Sequence, residues 1–369
     1  MRKINIILSW IKNTKLLFSF RKFFFYYLQK IVGLNSLPLD KKYLKQYPDF
    51  IGGYCSTNFI SYAPVFMEPH IKIIAQKIFD DEDSKELYRM IFLRHMYSSH
   101  LISGWEKYYD NEEKFNSLLN KIKVDIKDDL KFGGNGFIVK AAKNGEYKIH
   151  YKNGLTYALP INWFEVSVFS FKLGLVFLED KYLNYIKGSY LIDAGAFVGD
   201  SSIVLAEYTD KKVLSIEPEE NNFELLKKTI KLNKLQNKID AFKSALDKES
   251  RKVGIYNGGP GSIIENQPNN NIITTTTLDN LVGSKYQKIG LIKMDVEGYE
   301  MNILLGSKNI IERDRPILLV SIYHSGDQFI NIPLYLKEKY SEIYNFKFID
   351  CNPVHPLAEK VLLCLPKNI

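Results

Sequence analysis

A chain of 369 residues with 46% hydrophobic and 25% charged side chains can bury a substantial core, and its composition excludes a disordered or fibrous protein. Its three cysteines, Cys55, Cys351 and Cys364, are too few and too scattered for a disulfide framework, and no C-x-x-C pair points to zinc. The formal charge of +8 is concentrated at one end: no acidic residue precedes Asp40, whereas Arg2, Lys3, Lys12, Lys15, Arg21, Lys22 and Lys30 are basic. The rest of the chain is near neutral, which argues against a nucleic-acid partner.

Residues 1–39 form a basic, aromatic segment. Its apolar runs, Ile4 to Ile11 and Leu16 to Leu28, are interrupted by Asn5, Ser9, Arg21 and Lys22, so neither reaches the roughly 18 to 20 residues of a spanning helix. No small-residue cleavage site follows, so a secretory signal is not expected. With Trp10, Phe18, Phe20 and Phe23 to Phe25, residues 1–35 are expected either to lie on an anionic membrane surface or to pack on their own domain. A cytoplasmic protein, peripheral at the inner face of the cytoplasmic membrane in the first case, follows.

Residues 40–185 read as a helical region with a small antiparallel unit. Ile71 to Ile78, Lys85 to Met96 and Phe115 to Ile126 carry apolar side chains at helical spacing. After the Gly133-Gly134-Asn135-Gly136 turn, short strands are expected at 137–139, 147–151 and 155–159, separated by Lys143-Asn144-Gly145 and Lys152-Asn153-Gly154. Val166 to Leu183 reads as a helix leading into the next strand. No chemical motif falls here, and the region is expected to choose a substrate.

From residue 186 strands and helices alternate, which implies a parallel sheet with right-handed crossovers. Strands are expected at 190–193, 212–216, 239–242, 289–294 and 317–323, with an added one at 252–256. Helices are expected at 219–232, 299–305 and 332–340. Phe346 to Ile349 and Val361 to Leu365 read as a closing antiparallel pair. Asp193, Glu217, Asp295 and His324 each stand at the carboxyl end of an expected strand, the edge on which open α/β sheets bind ligands.

The run Tyr190-Leu-Ile-Asp193-Ala-Gly195-Ala196-Phe-Val-Gly199-Asp200-Ser201 reads as strand, glycine turn and helix start. Either Asp200 or Ser201 is expected to cap that helix. The turn lacks the middle glycine of a dinucleotide fingerprint. It resembles the first motif of class I S-adenosylmethionine-dependent methyltransferases. Glu217, 24 residues beyond Asp193, is placed either to accept both hydroxyls of a ribose, the favoured reading, or to stand as an acid at a helix start where the dipole favours it. Further on, Thr277-Leu278-Asp279 precedes Ile292-Lys293-Met294-Asp295-Val296-Glu297-Gly298-Tyr299-Glu300. With the glycine turn and Glu217-Pro218, this block resembles the FkbM family of methyltransferases. The family's Lys-hydrophobic-Asp-Val-Glu-Gly-x-Glu motif is matched at Lys293, Asp295, Val296, Glu297, Gly298 and Glu300.

The resemblance covers about 189–365, within a domain of residues 186–369. It implies a doubly wound, mostly parallel, Rossmann-like seven-stranded sheet, S-adenosyl-L-methionine as methyl donor, and O-methylation of a hydroxyl. The expected acceptor is a sugar of a bacterial surface glycan or its lipid-linked precursor. By position, Asp193, Gly195, Ala196, Gly199 and Glu217 are expected at the cofactor, with Asp200 beside them and Asp295 at the cofactor–substrate boundary. His324 is our candidate base, because its ordinary pKa lies near neutrality; Asp295 is expected to orient it, bind the hydroxyl, or take the proton itself. Magnesium on Asp295, Glu297 and Asp279 is a minority reading. The rival readings are a nicotinamide-dependent oxidoreductase and a membrane-associated adaptor that has lost activity.

Overall fold

The structure, a computed structural model, describes residues 68–96, 131–133, 136–142, 144–256, 263–265, 272–352 and 358–369. The basic segment 1–39, the expected helix Phe115–Ile126 and the loop Gly258–Ser262 lie outside the described residues. Among the described residues, no helix is long and apolar enough to cross a membrane.

Helices α1 (Glu68–Ile78) and α2 (Glu82–Met96) form a hairpin. Three small strands follow, β1 (Lys131–Gly133), β2 (Gly136–Ile138) and β3 (Tyr147–His150). Next come β4 (Thr156–Leu159), β5 (Phe164–Glu165) and α3 (Val166–Phe169). The two Asn-Gly turns are present, and β3 pairs antiparallel with β4 around Gly154, which adopts φ 90°. The single helix expected over 166–183 is broken. Lys172, Leu173 and Gly174 take positive φ inside a 3-10 stretch (Lys172–Phe177), and α4 starts afresh at Asp180 and ends at Lys187. At Gly174 a Cβ would strike the side chain of Ile349, so the break lets this segment press against the sheet.

The alternating half contains β6 (Tyr190–Ala194), α5 (Asp200–Leu205), β7 (Val213–Ile216), α6 (Glu220–Leu232) and β8 (Ile239–Phe242). An insertion follows, β9 (Ala245–Leu246), β10 (Lys252–Tyr256), β11 (Ile263–Glu265) and β12 (Ile272–Thr276), forming its own four-stranded sheet. Then come α7 (Leu278–Val282), β13 (Ile289–Met294), α8 (Glu300–Leu305), α9 (Lys308–Asp314) and β14 (Ile317–Ser321). The last elements are α10 (Gly326–Tyr340), β15 (Tyr344–Asp350) and β16 (Lys360–Pro366). The main sheet has seven strands in the order β15-β16-β14-β13-β6-β7-β8. Only β16 runs against the others. The winding reverses between β6 and β13, so the crevice at their carboxyl ends is the switch point where such sheets bind ligands.

Strands covered on both faces read as continuous hydrophobic runs, and β7, β13 and β14 are buried at every position. Their side chains alternate between two cores. Ile192, Ala194, Ile216, Ile292, Met294 and Val320 face a cluster closed by α1, α2 and α7 to α10. Leu191, Val213, Leu291 and Leu319 face one closed by α4 to α6 and by residues of β3 to β5. The small antiparallel unit therefore shares a core with the sheet. Asn233, at the end of α6, fastens it by accepting from the Ala158 amide (2.9 Å) and donating to its carbonyl (2.7 Å).

Helix α10 begins at Gly326, earlier than the expected 332, because Ser325 caps it by accepting from the Gln328 amide. Pro333 consequently sits inside the helix, where it cannot donate to the carbonyl four residues back. That carbonyl belongs to Phe329 and accepts instead from the Tyr88 hydroxyl of α2 (2.6 Å). The Tyr88 ring stacks on Phe329 at 4.4 Å between centroids and meets Phe348 edge-on. One hydroxyl thus satisfies the proline's orphan and docks the helical hairpin.

A candidate cofactor and acceptor site at the switch point

The glycine turn is built by two backbone requirements. Gly195 (φ 78°) lets the chain leave β6 so that the Gly195 and Ala196 amides both donate to the Ile216 carbonyl, at 3.1 and 3.0 Å. A Cβ at Gly195 would collide with the Asp295 carbonyl, so only glycine lets the loops after β6 and β13 cross here. Gly199 (φ 87°) caps α5 with its backbone alone, and neither Asp200 nor Ser201 makes the expected side-chain cap. An added Cβ would meet Leu226, so Gly199 serves helix packing. Ala196 is likewise enclosed.

Asp193 is placed beneath this turn. It shares the face of Leu191, the face that α5 covers, and no part of it is exposed. One carboxylate oxygen accepts from both Ser201 and Ser202 at 2.6 Å, and the other lies 3.0 Å from Lys293 Nζ. Lys293 stands opposite Asp193 in the parallel register and also donates to the Gly195 carbonyl (2.7 Å). Burial works against the ammonium, but Asp193, Asp295 and Asp200 outweigh it and raise its pKa. The pair is an internal brace for the glycine turn, and Asp193, expected at the cofactor, is not among the residues that line the cavity. Asp200, in the first turn of α5, is also buried. Desolvation pushes its carboxyl up to about 7 against the pull of Lys293 and two backbone amides.

The cavity lies above, at the carboxyl ends of β6, β7, β8 and β13, and encloses about 550 Å³ with its open mouth included. Gly195, Glu217 and Asp295 line it, together with Phe197, Ile216, Ser244, Leu246, Glu297, Tyr299 and Ile303 among others. Asp193, Ala196, Gly199, Asp200 and His324 are not among its lining residues. Glu217 accepts one amide on each oxygen, from Phe197 (2.9 Å) and Glu219 (3.0 Å). Those bonds hold it ionised less strongly than burial opposes it, and its pKa rises to about 7. Tyr299 is fixed at the rim by a network centred on the fully buried Asp247. That carboxylate accepts from Tyr299 (3.1 Å), Asn302 (3.0 Å) and Arg251 (2.6 Å).

At the far wall the ends of β13 and β14 meet. His324 is 3% exposed, and its ring lies among three carboxylates. Nδ1 is 3.0 Å from Glu300 Oε1, while Nε2 is 3.5 Å from Asp295 Oδ1 and 3.6 Å from Glu297 Oε2. Burial lowers the imidazole pKa, but Glu300, Glu297 and Asp295 together drive it up to about 10. These three carboxylates favour the protonated ring, which argues against the expected base role of His324. Glu297 is pushed up to about 7 by burial despite His324. For the fully buried Glu300 the balance goes the other way: burial raises its pKa, but His324 and backbone amides lower it further. Beyond Asp295, the Tyr323 hydroxyl reaches its Oδ1 (3.3 Å) and Glu359 Oε1 (3.0 Å). Asp279 is elsewhere, accepting the Asn309 and Ile310 amides at the start of α9. It cannot join a metal with Asp295 and Glu297.

The cavity's chemistry suits an S-adenosyl cofactor. Glu217 accepts the Phe197 and Glu219 amides and a further bond from the Asn222 side chain, and the acceptor capacity left on its oxygens is available to a ribose diol. Ile216, Leu246 and Ile303 give apolar walls for a base, and Asp295 and Glu297 face the end where a sulfonium and an ammonium would lie. Ser244 and Leu246 escaped the sequence reading, although both follow the third parallel strand and its carboxyl end was the signal. Nothing local marked Phe197 or Tyr299.

Residues 193–348 match the methyltransferase FkbM domain family. Among solved structures, methyltransferase FkbM from Methylobacillus flagellatus KT is similar with a TM-score of 0.52 at 15% identity, over 85% of this chain and 62% of that one. The chain thus spans less than two thirds of that protein's length. An rRNA methylase from Streptococcus thermophilus gives a TM-score of 0.35 at 14% identity, over 51% of this chain and 92% of that one. The tRNA m1G37 methyltransferase of M. jannaschii gives 0.31 at 17% identity, over 61% and 57% of the two chains. No curated protein matches the chain.

Proposed function

We propose that the FkbM methyltransferase domain carried by this chain transfers a methyl group from S-adenosylmethionine to a hydroxyl oxygen, and that the acceptor is a sugar. The observation that carries this reading is one cavity with Glu217 on one wall and Asp295 on the other, across the reversal of strand order. When bound, the cofactor supplies a methyl group activated by a positively charged sulfur. Glu217 holds the ribose hydroxyls, and the brace of Asp193 and Lys293 fixes the turn that frames the cofactor. Asp295 accepts the hydrogen bond of the acceptor hydroxyl and then its proton. Holding acceptor and donor in line can lower a barrier by roughly 7 to 11 kcal/mol, and a placed base adds on the order of a hundredfold to ten-thousandfold. His324 stands behind Asp295 and Glu297, with Nε2 3.5 and 3.6 Å from their carboxylates.

Two features favour this over a nicotinamide oxidoreductase. Phe197 stands where a dinucleotide turn has its middle glycine, and its ring packs edge-on against Trp163 at 5.7 Å, closing the approach a pyrophosphate needs. Trp163 also donates to Glu165 (3.0 Å), whose carboxyl is pushed well above its usual pKa by burial and then by the charges of Glu359, Asp200 and Asp295. An aromatic face beside acceptor-rich carboxylates is a surface for polyhydroxylated ligands. Transfer of labelled methyl from S-adenosylmethionine to a bacterial glycan extract tests the reading. Incorporation lost in Asp295→Asn supports it, and the absence of any incorporation in the wild type refutes it. The basic segment 1–35 would bring the enzyme to lipid-linked acceptors. Co-sedimentation with anionic vesicles that disappears when 1–35 is deleted supports this, and equal sedimentation of both forms removes it.

A further inference from the structure

We propose that the edge of the cavity, where the loop after β13 meets the residues that follow β14, is a divalent-cation site, with His324 Nε2, Asp295 Oδ1 and Glu297 Oε2 as ligands. The separations from Nε2, 3.5 and 3.6 Å, are too long for hydrogen bonds. They are close to what neighbouring ligands of one ion require. Bonds of roughly 2.1 to 2.4 Å at right angles put donor atoms about 3.0 to 3.4 Å apart. Asp295, Glu300 and His324 each bring one ligand atom within 4.8 Å of one another, and Glu297 stands outside that grouping, joined to it through its 3.6 Å approach to Nε2.

The histidine distinguishes this cluster from an ordinary acidic patch. His324 is buried, and neither Nε2, directed at the two carboxylates, nor Nδ1 makes a hydrogen bond of good geometry. Nδ1 rests 3.0 Å from Glu300 Oε1, and that oxygen is anchored by the Val296 amide (3.0 Å). Metal-binding histidines typically lean on a carboxylate in this way, which fixes the ring with its other nitrogen toward the ion. The backbone contributes as well. Glu297 at φ 53° and Gly298 at φ 101° turn the chain back so that Glu297 faces His324, and strain at a non-glycine residue of this kind is characteristic of functional sites. Asp295 and Glu297 retain 25% and 33% side-chain exposure and both line the cavity, so water or an acceptor oxygen can complete the coordination.

One nitrogen and two carboxylate oxygens with open positions suit manganese(II) or a similar divalent ion. Its catalytic role rests on the methyltransferase reading. An acceptor hydroxyl bound to the ion would lose its proton more readily, and Asp295 Oδ2 would remain to receive that proton. The cation would take the place of the proton on His324 Nε2.

The test uses the full chain, stripped with a chelator and titrated with manganese(II) chloride while free ion is read by electron paramagnetic resonance. The site predicts one saturable ion per chain and, in the bound spectrum, electron spin-echo modulation from an imidazole nitrogen. Asp295→Asn and Glu297→Gln should each weaken binding by tenfold or more, and Glu300→Gln by roughly tenfold to a hundredfold. Binding without nitrogen modulation, or equal affinity in wild type and Asp295→Asn, overturns the proposal. The nitrogen signal needs only wild-type protein, so an unfolded variant does not blunt the test. Calorimetry with S-adenosylhomocysteine on the stripped protein then separates the two readings: retained affinity without manganese binding sinks the metal alone.

Discussion

Glu217 is a carboxylate that must be ionised to hold two hydroxyls, yet burial keeps its pKa near 7. The raised value means that the protonated form prevails below pH 7 and the ionised form above it. Affinity for S-adenosylhomocysteine should therefore rise with pH, by about tenfold between pH 6 and pH 8 if the ionised form alone binds. Glu217→Gln should remove most of that gain in calorimetry at the two pH values, and a pH-independent affinity in the wild type would refute the assignment. Asp193 belongs to a different class of residue. Removing its charge leaves Lys293 buried without its partner, a change that costs about 3 to 5 kcal/mol in comparable pairs. Urea denaturation of Asp193→Asn should show that loss, and Asp193→Asn combined with Lys293→Met should recover much of it. The sequence placed both acids at strand ends. It could not separate them, because the division depends on side-chain alternation: Asp193 shares the Leu191 face, which the following helix covers. Its partner Lys293 is 100 positions away (293 − 193), a pairing that no local pattern announces. The surroundings of His324 were equally hidden: burial lowers its pKa, but Glu300 first, then Glu297 and Asp295, raise it, and no local pattern shows that these three converge on one ring.

Among the elements, those with one strong period were legible. The strands buried on both faces stood out as short apolar runs, and α1, α2 and α6 as helical stripes, to within a few residues of their observed ends. The failures came where a tertiary contact overruled a local rule. The segment 166–183 carries helical spacing, but Gly174 is needed close to Ile349 and the helix breaks. Pro333 reads as a helix start and proves to be interior, tolerated because Tyr88 donates to the carbonyl it orphans. This docking has a measurable consequence. Tyr88→Phe keeps the stacked ring and loses this buried bond, so a loss of about 1 to 3 kcal/mol is expected. Tyr88→Ala also empties the ring's place and should lose about 3 to 5 kcal/mol. Urea midpoints of the two variants distinguish these; equal stability of Tyr88→Phe and wild type would mean that water serves the Phe329 carbonyl instead.

At the scale of the whole molecule, the order β15-β16-β14-β13-β6-β7-β8 turns distant sequence motifs into one wall. The alternation of strands and helices made a parallel sheet legible, and the strand-end acids indicated its functional edge. What the alternation does not encode is that the small antiparallel unit of 136–165 shares a core with the sheet and carries Trp163 to the glycine turn. The account's central claim is that the cavity between Glu217 and Asp295 receives an S-adenosyl cofactor. Calorimetric titration of the full chain with S-adenosylhomocysteine, and separately with NAD, tests it most directly. Saturable binding of S-adenosylhomocysteine alone, weakened at least tenfold in Glu217→Ala, is the predicted result. Binding of NAD in its place, or S-adenosylhomocysteine affinity untouched by Glu217→Ala, would contradict it.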